Sequence, residues 1–171
     1  MAQTPVPNKQ SAVKNSIPDG DKYITLFADA SFCPQTKAYG WCYWIKHGTP
    51  STTVIKSGGG FRIRSSLEAE IEALRQGIRE IYSMGKIKGK RIVVQSDCLG
   101  ALFKIGKELE ALKGVGAASA YTKHVRGHQG HKDARSSVNT QCDKLAGIEM
   151  REFRKEKKQR MKRSAETRPS Y

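Results

Sequence analysis

A run of adjacent β-branched residues, Ile92-Val93-Val94, constrains the fold of this 171-residue chain more than any other feature. Continuous apolar runs of this kind are typical of buried central strands, so we predict a strand over residues 91–96. β-forming residues separated by close turn signals predict antiparallel strands earlier in the chain, and a weaker strand pattern follows later. Those strands are predicted over residues 23–28, 39–46, 52–56 and 120–126, with a glycine link over residues 58–60.

Three helices are predicted after the third strand, and together with the strands they indicate an α/β fold. The first begins at a capping box, in which Ser65 is followed three residues later by Glu68. Its apolar stripe repeats at helical spacing: Leu67, Ile71, Leu74, Ile78 and Ile81. The second covers residues 99–112 and directs four leucines inward: Leu99, Leu102, Leu109 and Leu112. The third begins near Val138, with Ser137 as its cap, and continues into a basic tail.

The charge balance favours a particular class of partner. Lysine and arginine total 31 against 16 acidic residues, so the net charge is +15. Such an excess favours a polyanion, with nucleic acid first and an anionic membrane surface second. No apolar run is long enough to span a membrane, and residues 1–20 lack a signal-peptide pattern, so we expect an intracellular, cytoplasmic protein without a membrane partner.

The composition divides the chain into three parts. Residues 1–20 are polar and proline-containing and are predicted to be a flexible leader, and residues 21–150 form the folded domain. Residues 151–171 form a basic extension with nine lysines or arginines against three glutamates. The four cysteines have no zinc-site spacing, so we predict ordinary thiols and no disulfides.

Four acidic residues share one pattern. Asp29 and Asp97 each end a predicted strand, and if those strands are parallel neighbours their ends lie about 5 Å apart. Glu70 and Asp143 each flank the apolar stripe of a predicted helix. Carboxylates that meet repel one another unless divalent cations lie among them, and oxygen ligands favour Mg²⁺ or Mn²⁺. The alternatives are a helix-edge Glu70 that reaches water, and acids that act singly as caps or surface charges.

Three of the acids lie in strand and helix motifs: Leu26-Phe27-Ala28-Asp29-Ala30-Ser31, Ala69-Glu70-Ile71-Glu72-Ala73 and Val94-Gln95-Ser96-Asp97. These motifs resemble those of type 1 ribonuclease H, and the resemblance covers roughly residues 22–150. The most specific match joins a histidine loop to a helix: Val125-Arg126-Gly127-His128-Gln129-Gly130-His131 and Asn139-Thr140-Gln141-Cys142-Asp143-Lys144-Leu145-Ala146. The resemblance implies an RNase H-like fold, a five-stranded mixed sheet in the order 3-2-1-4-5 flanked by helices, without the basic handle region that some members carry.

The resemblance also implies an activity, which is hydrolysis of the RNA strand of RNA–DNA hybrids with two Mg²⁺ or Mn²⁺ ions per active site. The metal ligands would be Asp29, Glu70, Asp97 and Asp143. His128 would move protons and assist product release. A histidine on a glycine-flanked loop beside acids can shuttle protons on chemical grounds as well, and the alternative is a histidine that binds phosphate or nothing. His124 and His131 are expected to be structural or surface residues.

Departures from the family pattern leave other functions open. Polar residues that contact the hybrid's minor groove in the family are replaced by Ser66, Leu67 and Leu99, and only 30 residues separate Asp97 from His128. The basic tail would then hold substrate in place of a handle, unless it is only a solvated helical extension. The residues predicted to bind nucleic acid are Arg126, Lys132, Arg135, Arg154, Lys155, Lys157 and Lys158. The alternatives are an RNase H-like nuclease that acts on DNA, as a junction resolvase or nickase, and a non-catalytic nucleic-acid-binding module.

Overall fold

The computed structural model describes residues 19–127 and 134–166. Five strands lie in these residues: β1 (Tyr23–Phe32), β2 (Tyr39–His47), β3 (Thr52–Gly60), β4 (Arg91–Ser96) and β5 (Ser119–His124). Five helices accompany them: α1 (Asp19–Lys22), α2 (Ser66–Ser83), α3 (Leu99–Lys104), α4 (Gly106–Gly114) and α5 (Ala134–Glu166). The elements therefore alternate as an α/β domain does after an initial antiparallel set.

All five strands form one mixed sheet in the order β3-β2-β1-β4-β5, which confirms the predicted order. Strand β1 is antiparallel to β2 and parallel to β4, and β3 and β5 complete the two edges. The carboxyl ends of β1, β3 and β4 therefore lie at one end of the sheet, together with the start of β2. The acidic residues predicted to form a metal site, Asp29 and Asp97, belong to this end.

The two faces of the sheet are covered by different helices. On one face, Leu26, Ile45 and Ile92 pack with Leu74 of α2 in the main hydrophobic core. On the other face, Phe27 packs with Cys142 and Ala146 of α5 in a smaller cluster. Adjacent residues of β1 serve the two clusters because side chains alternate along a strand. Strand β1 is therefore sandwiched between the two helices.

Two strands are longer than the sequence predicts. Strand β1 continues to Phe32, so Asp29 lies inside it rather than at its end. The predicted link over residues 58–60 is wrong, because Gly58, Gly59 and Gly60 pair with β2 as the last residues of β3. The space beside these glycines is filled by other elements. A Cβ on Gly59, for example, would lie 2.9 Å from the ring of Phe153 in α5.

Two helix predictions are corrected as well. The single helix predicted over residues 99–112 is divided at Ile105, whose backbone leaves the helical conformation (φ −99°, ψ 18°) while its side chain is fully buried. The division brings Leu102 and Leu112 to the core, whereas Leu99, predicted to face inward, is 49% exposed. Helix α5 begins at Ala134, not near Val138, and it continues without a break to Glu166.

Candidate active site

Three acidic side chains from three different elements converge at the carboxyl end of the central strands. Asp29 comes from β1, Glu70 from α2 and Asp97 from the residue after β4. One carboxylate oxygen from each residue lies within 4.8 Å of the others. Asp29 is buried, and Glu70 and Asp97 are half-buried. We call these three residues the carboxylate triad.

The positions of the triad follow from local structure. Strands β1 and β4 pair in parallel as far as Phe27 and Gln95, so Asp29 and Asp97 both lie two residues beyond the last pair. Helix α2 is fixed at its start, where Ser65 Oγ accepts a hydrogen bond from the Glu68 backbone N–H at 3.2 Å. Glu70 is therefore held one turn into α2, next to the fully buried Ala69.

Burial and mutual repulsion make two of these carboxyl groups hard to ionise. Desolvation, together with the charges of Asp97 and Asp143, raises the pKa of Asp29 to about 7. Desolvation, together with the charges of Asp29 and Asp97, raises the pKa of Glu70 to about 9. One backbone donor opposes the change, since the Ala30 N–H donates to Asp29 Oδ1 at 2.9 Å. The triad without a bound cation therefore holds protons at neutral pH.

The residue after β4 is enclosed by the end of β5. The Asp97 carbonyl oxygen lies 3.0 Å from Nε2 of the exposed His124. Gly127 lies directly against the Asp97 side chain, and a Cβ on that glycine would be only 2.4 Å from Asp97 Oδ2. No larger residue than glycine fits there without displacing the carboxylate.

Asp143, the fourth predicted ligand, is placed differently. It is exposed on α5 and does not belong to the triad within 4.8 Å. Its charge nevertheless contributes to the raised pKa of Asp29, so it lies near the site. The helix beside it is fixed by Cys142, whose Sγ lies 3.4 Å from Sγ of Cys42 in the buried cluster. The predicted proton carrier His128 lies outside the described residues, as does His131.

The residues predicted to bind nucleic acid are divided between two places. Arg126 is exposed just after β5, and Arg154, Lys155, Lys157 and Lys158 lie on α5. Lys157 donates to the Thr36 carbonyl oxygen at 2.7 Å, so it anchors α5 to the β1–β2 loop. Lys132 lies outside the described residues, and so does the side chain of Arg135.

Two exposed arginines that no sequence motif identifies lie next to the helix that supplies Glu70. Arg62 and Arg64 lie in the short link from β3 to α2. The Arg64 backbone N–H donates to Glu68 Oε2 at 2.9 Å, which places the link against the first turn of the helix that carries Glu70. The sequence signal that could have identified them is their position between a strand that ends beside the acids and a helix that supplies one.

The arrangement is suited to a hard divalent cation. Its donors are all carboxylate oxygens, which favour Mg²⁺, Mn²⁺ or Ca²⁺ over softer metals. Among the described residues, no helix is both long enough and apolar enough to cross a membrane.

The comparisons with known proteins support the fold through similar solved structures. No protein-family model and no curated protein matches the sequence. One similar solved structure is the N-terminal RNase H domain of Rv2228c from Mycobacterium tuberculosis, solved as a fusion with maltose-binding protein. It is 16% identical with a TM-score of 0.57, and the match covers 78% of this chain and 97% of that one. LC11-RNase H1 in complex with an RNA/DNA hybrid is similar at 13% identity and a TM-score of 0.58, covering 75% of this chain and 97% of that one.

RNase H1 from the archaeon Halobacterium salinarum is similar at 16% identity and a TM-score of 0.51, covering 76% of this chain and 98% of that one. At such identities the likeness shows the fold. The chain therefore has an RNase H-like fold, as the sequence motifs predict.

Proposed function

We propose that this chain, with its RNase H-like fold, is a metal-dependent endonuclease that hydrolyses the RNA strand of RNA–DNA hybrids. The observation that carries the proposal is the carboxylate triad, with its oxygens within 4.8 Å of one another at the carboxyl end of the central strands. A neighbour of the same fold was solved with an RNA/DNA hybrid. The basic composition, with a net charge of +15, suits a polyanionic substrate.

The triad fits the metal ions that this activity requires. Glu70 Oε2 is buried, and no described group donates a hydrogen bond to it. A buried carboxylate oxygen without a donor is costly, and a cation would remove that cost. Asp29, Glu70 and Asp97, with Asp143 as a further ligand, would together hold two Mg²⁺ or Mn²⁺ ions. Such ions, when bound, activate a water molecule and stabilise the leaving oxygen of a phosphodiester.

The remaining residues would position substrate and move protons. Exposed Arg126 lies after β5 and exposed Arg62 lies after β3, so positive charge flanks the triad on both sides of the central strands. These side chains would hold phosphates while the triad faces the bond to be cut. The role of proton carrier proposed for His128 rests on its motif, Gly127-His128-Gln129-Gly130.

One observation favours a second candidate, a nuclease of the same fold that cuts DNA. The two leucines at positions where the family has polar minor-groove residues are exposed, Leu67 at 38% and Leu99 at 49%. Leu67 lies beside Gly100, the residue after Leu99, since a Cβ on Gly100 would lie 3.2 Å from Leu67 Cδ1. An apolar surface cannot hydrogen-bond a 2′-hydroxyl, and that group is what distinguishes RNA from DNA in a groove.

A cleavage assay with matched substrates tests both candidates. The full chain is incubated with Mg²⁺ or Mn²⁺ and an end-labelled RNA–DNA hybrid, duplex RNA, duplex DNA or branched DNA of the same sequence. We expect cuts in the RNA strand of the hybrid only. Cuts in either DNA substrate would favour the second candidate. No cleavage of any substrate with either metal would leave a non-catalytic module as the better description.

The assay includes one inactive variant and one matched control. Asp97→Asn removes a triad charge and is expected to abolish cleavage while it preserves binding. Glu68→Gln changes an exposed glutamate on the same helix as Glu70, two residues away, and is expected to keep activity. Equal activity of wild type and Asp97→Asn would show that a contaminating nuclease or another site does the cutting.

A further inference from the structure

Helix α5 presents one face to the sheet along most of its length. The oxygen of Ala146 lies 2.0 Å from where a Cβ on Gly40 would be, and the ring of Phe153 packs on Gly59. One turn later, Lys157 Nζ lies 5.6 Å from the centre of the Phe61 ring. The same face continues to Met161, which is 63% exposed. The last turns of α5 therefore extend beyond the sheet.

An open concavity of about 580 Å³ lies between this end of α5 and the residue that follows β3. Its described lining consists of Phe61 on one side and five residues of α5 on the other: Lys157, Arg160, Met161, Ser164 and Ala165. The volume is within the range of about 300–1,000 Å³ that is usual for pockets that bind small organic groups. We call this concavity the Phe61 pocket.

The pocket combines an aromatic ring with a basic rim. Phe61 is held by an edge-to-face contact with Phe153, with ring centres 5.4 Å apart and an angle of 84° between the planes. Lys157 and Arg160 supply the positive charge, although Arg160 is paired with Glu156. The surrounding residues 154–163 carry seven basic side chains and one acidic one. Aromatic and thioether groups within strong positive charge are suited to a nucleobase and its phosphates.

The pocket lies at the same end of the sheet as the carboxylate triad. Phe61 follows Gly60, which pairs with Tyr39 at the start of β2, and Asp29 pairs with Cys42 three residues further along that strand. Strands β1 and β3 are separated by β2 alone, so they are about 10 Å apart. A nucleic acid strand at the triad could therefore continue past the β3 edge into the pocket within a few nucleotides.

We propose that the Phe61 pocket binds an unpaired segment of nucleic acid that adjoins the duplex at the carboxylate triad. A base would contact Phe61 and Met161, and the adjacent phosphates would contact Lys157 and Arg160. The segment must be single-stranded, because the bases of a duplex are stacked on each other and offer no open face to an aromatic side chain. The inference rests on the proposed function only for the position of the duplex.

A binding experiment without divalent metal isolates this pocket from catalysis. The full chain, in EDTA, is titrated by fluorescence anisotropy with a blunt RNA–DNA hybrid and with the same hybrid carrying a six-nucleotide overhang at each of its ends in turn. We expect one overhang to strengthen binding at least fivefold, the lower end of what one stacked base contributes. Equal binding of the blunt hybrid and of all overhang hybrids would overturn the proposal.

Three variants test whether the stronger binding of an overhang hybrid, the overhang gain, depends on the Phe61 pocket. Phe61→Leu keeps apolar volume against Phe153 but removes the aromatic face, and Met161→Ala changes a largely exposed side chain. Both are expected to lose most of the overhang gain and to bind the blunt hybrid as wild type does. Phe103→Ala, which changes an aromatic residue that is 77% exposed on α3, is the matched control and should keep the gain. A gain that survives in Phe61→Leu and Met161→Ala would overturn the proposal.

Cleavage measured in parallel separates the two proposals. Wild type that cuts the blunt hybrid but shows no overhang gain would refute the pocket alone. Wild type that cuts nothing but binds the overhang through Phe61 and Met161 would refute the proposed activity alone. Circular dichroism thermal melts of each variant check that a lost gain is not caused by unfolding.

Discussion

Helices α2 and α5 each bring an acid to the same end of the sheet, but they hold it in different ways. Helix α2 is capped by Ser65 and packs on β1 so closely that a Cβ on Gly77 would lie 2.4 Å from Leu26 Cδ1. Its acid, Glu70, is half-buried with one oxygen that lacks a donor among the described residues. Helix α5 carries its acid, Asp143, on an exposed turn. One acid is therefore fixed by packing, and the other keeps its freedom.

The difference has a chemical consequence. A fixed carboxylate with an unsatisfied oxygen is prepared for a cation before the cation arrives, because its desolvation has already occurred during folding. An exposed carboxylate loses its hydration and side-chain freedom only when it takes part. We therefore expect substitution of Glu70 to change the cleavage rate and the free energy of unfolding more than substitution of Asp143 does.

The largest expected effect comes from exchanging these two acids for their amides. Glu70→Gln should lower cleavage of hybrid by roughly 10³-fold or more, the scale of losing a charge at the reacting atoms. Asp143→Asn should lower it by only about 10- to 100-fold, because this further ligand is exposed and lies outside the triad. Initial rates with Mg²⁺ measure both, and Glu72→Gln on the same helix as Glu70 serves as the control with little loss. Equal losses in the two variants would mean that Asp143 becomes as fixed as Glu70 once metal and hybrid are bound.

The next effect concerns how each helix packs on the sheet. Gly40→Ala places a Cβ against the backbone of α5, 2.0 Å from the Ala146 oxygen and 2.5 Å from the Met150 nitrogen. Backbone atoms cannot move aside without displacing the helix, so we expect a loss of about 3 kcal/mol or more in the free energy of unfolding. Urea denaturation measures it.

Two other glycines are the comparison for that substitution. The three atoms nearest to a Cβ on Gly77 of α2 all belong to the side chain of Leu26, and the better helix propensity of alanine offsets part of the strain, so Gly77→Ala should lose about 1 kcal/mol. Gly106→Ala has no atom within 4 Å of the new Cβ and should be neutral or slightly stabilising. A Gly40→Ala protein as stable as Gly106→Ala would show that α5 is not seated as closely as described.

A third effect is the dependence of stability on pH. The native protein binds protons at Glu70 up to about pH 9 and at Asp29 up to about pH 7, whereas unfolded carboxyl groups lose theirs near pH 4. Because the folded state then holds more protons, the stability of the metal-free protein should fall as pH rises from about 4 to 9. Urea unfolding in EDTA at several pH values measures the slope.

Glu70→Gln should flatten that slope and stabilise the metal-free protein at pH 8 by about 1–3 kcal/mol, since one pKa unit is worth about 1.4 kcal/mol. Adding Mg²⁺ at pH 8 should stabilise wild type and have little effect on this variant. Glu68→Gln is the matched control and should keep the wild-type slope. A wild-type slope that is flat in EDTA would contradict the burial of Asp29 and Glu70, and with it the repulsion among the three carboxylates.

The parts of the fold that the sequence predicts well are those determined locally. The apolar run of β4 and the cap and stripe of α2 gave their bounds almost to the residue, because periodicity and capping act within one element. Ile105 shows the limit of this approach. Helical spacing placed Leu99 and Leu109 on one face, but the chain leaves the helical conformation at Ile105, whose side chain is fully buried, and helical spacing alone does not record that break.

The residues of the candidate sites also differ in whether local sequence patterns predict them. Asp29, Glu70 and Asp97 could be predicted because two neighbouring parallel strands and one helical face bring them together, although Asp29 lies within β1 and not at its end. Phe61 could not be predicted, because its position depends on Phe153 and Lys157, which follow far later in the chain. Phe61 also followed three glycines that indicated a link rather than the end of a strand.

The smallest effect on the rate of cleavage is expected from the end of α5, where basic side chains lie beyond the residues that pack this helix against the rest of the domain. Phe153 and Lys157 fasten α5 to the sheet and to the β1–β2 loop, so a deletion that spares them should preserve the fold. Deleting residues 158–171 removes five basic residues and one acidic residue, all beyond these two anchors. If these side chains bind phosphate, the slope of log affinity against log salt should become shallower by about one unit for each phosphate that is no longer neutralised.

The apparent KM for hybrid should then rise by about tenfold at physiological salt and less at low salt, while kcat should change little because no proposed ligand lies in the deleted segment. Binding of hybrid by intact and truncated chains over a salt series measures the slope, and steady-state kinetics at two salt concentrations measure KM and kcat. Identical slopes would show that this end of the helix is only a solvated extension. A fall in kcat at saturating hybrid would mean instead that the end of α5 supports the helix that carries Asp143, so that charge and packing cannot be separated at residue 158.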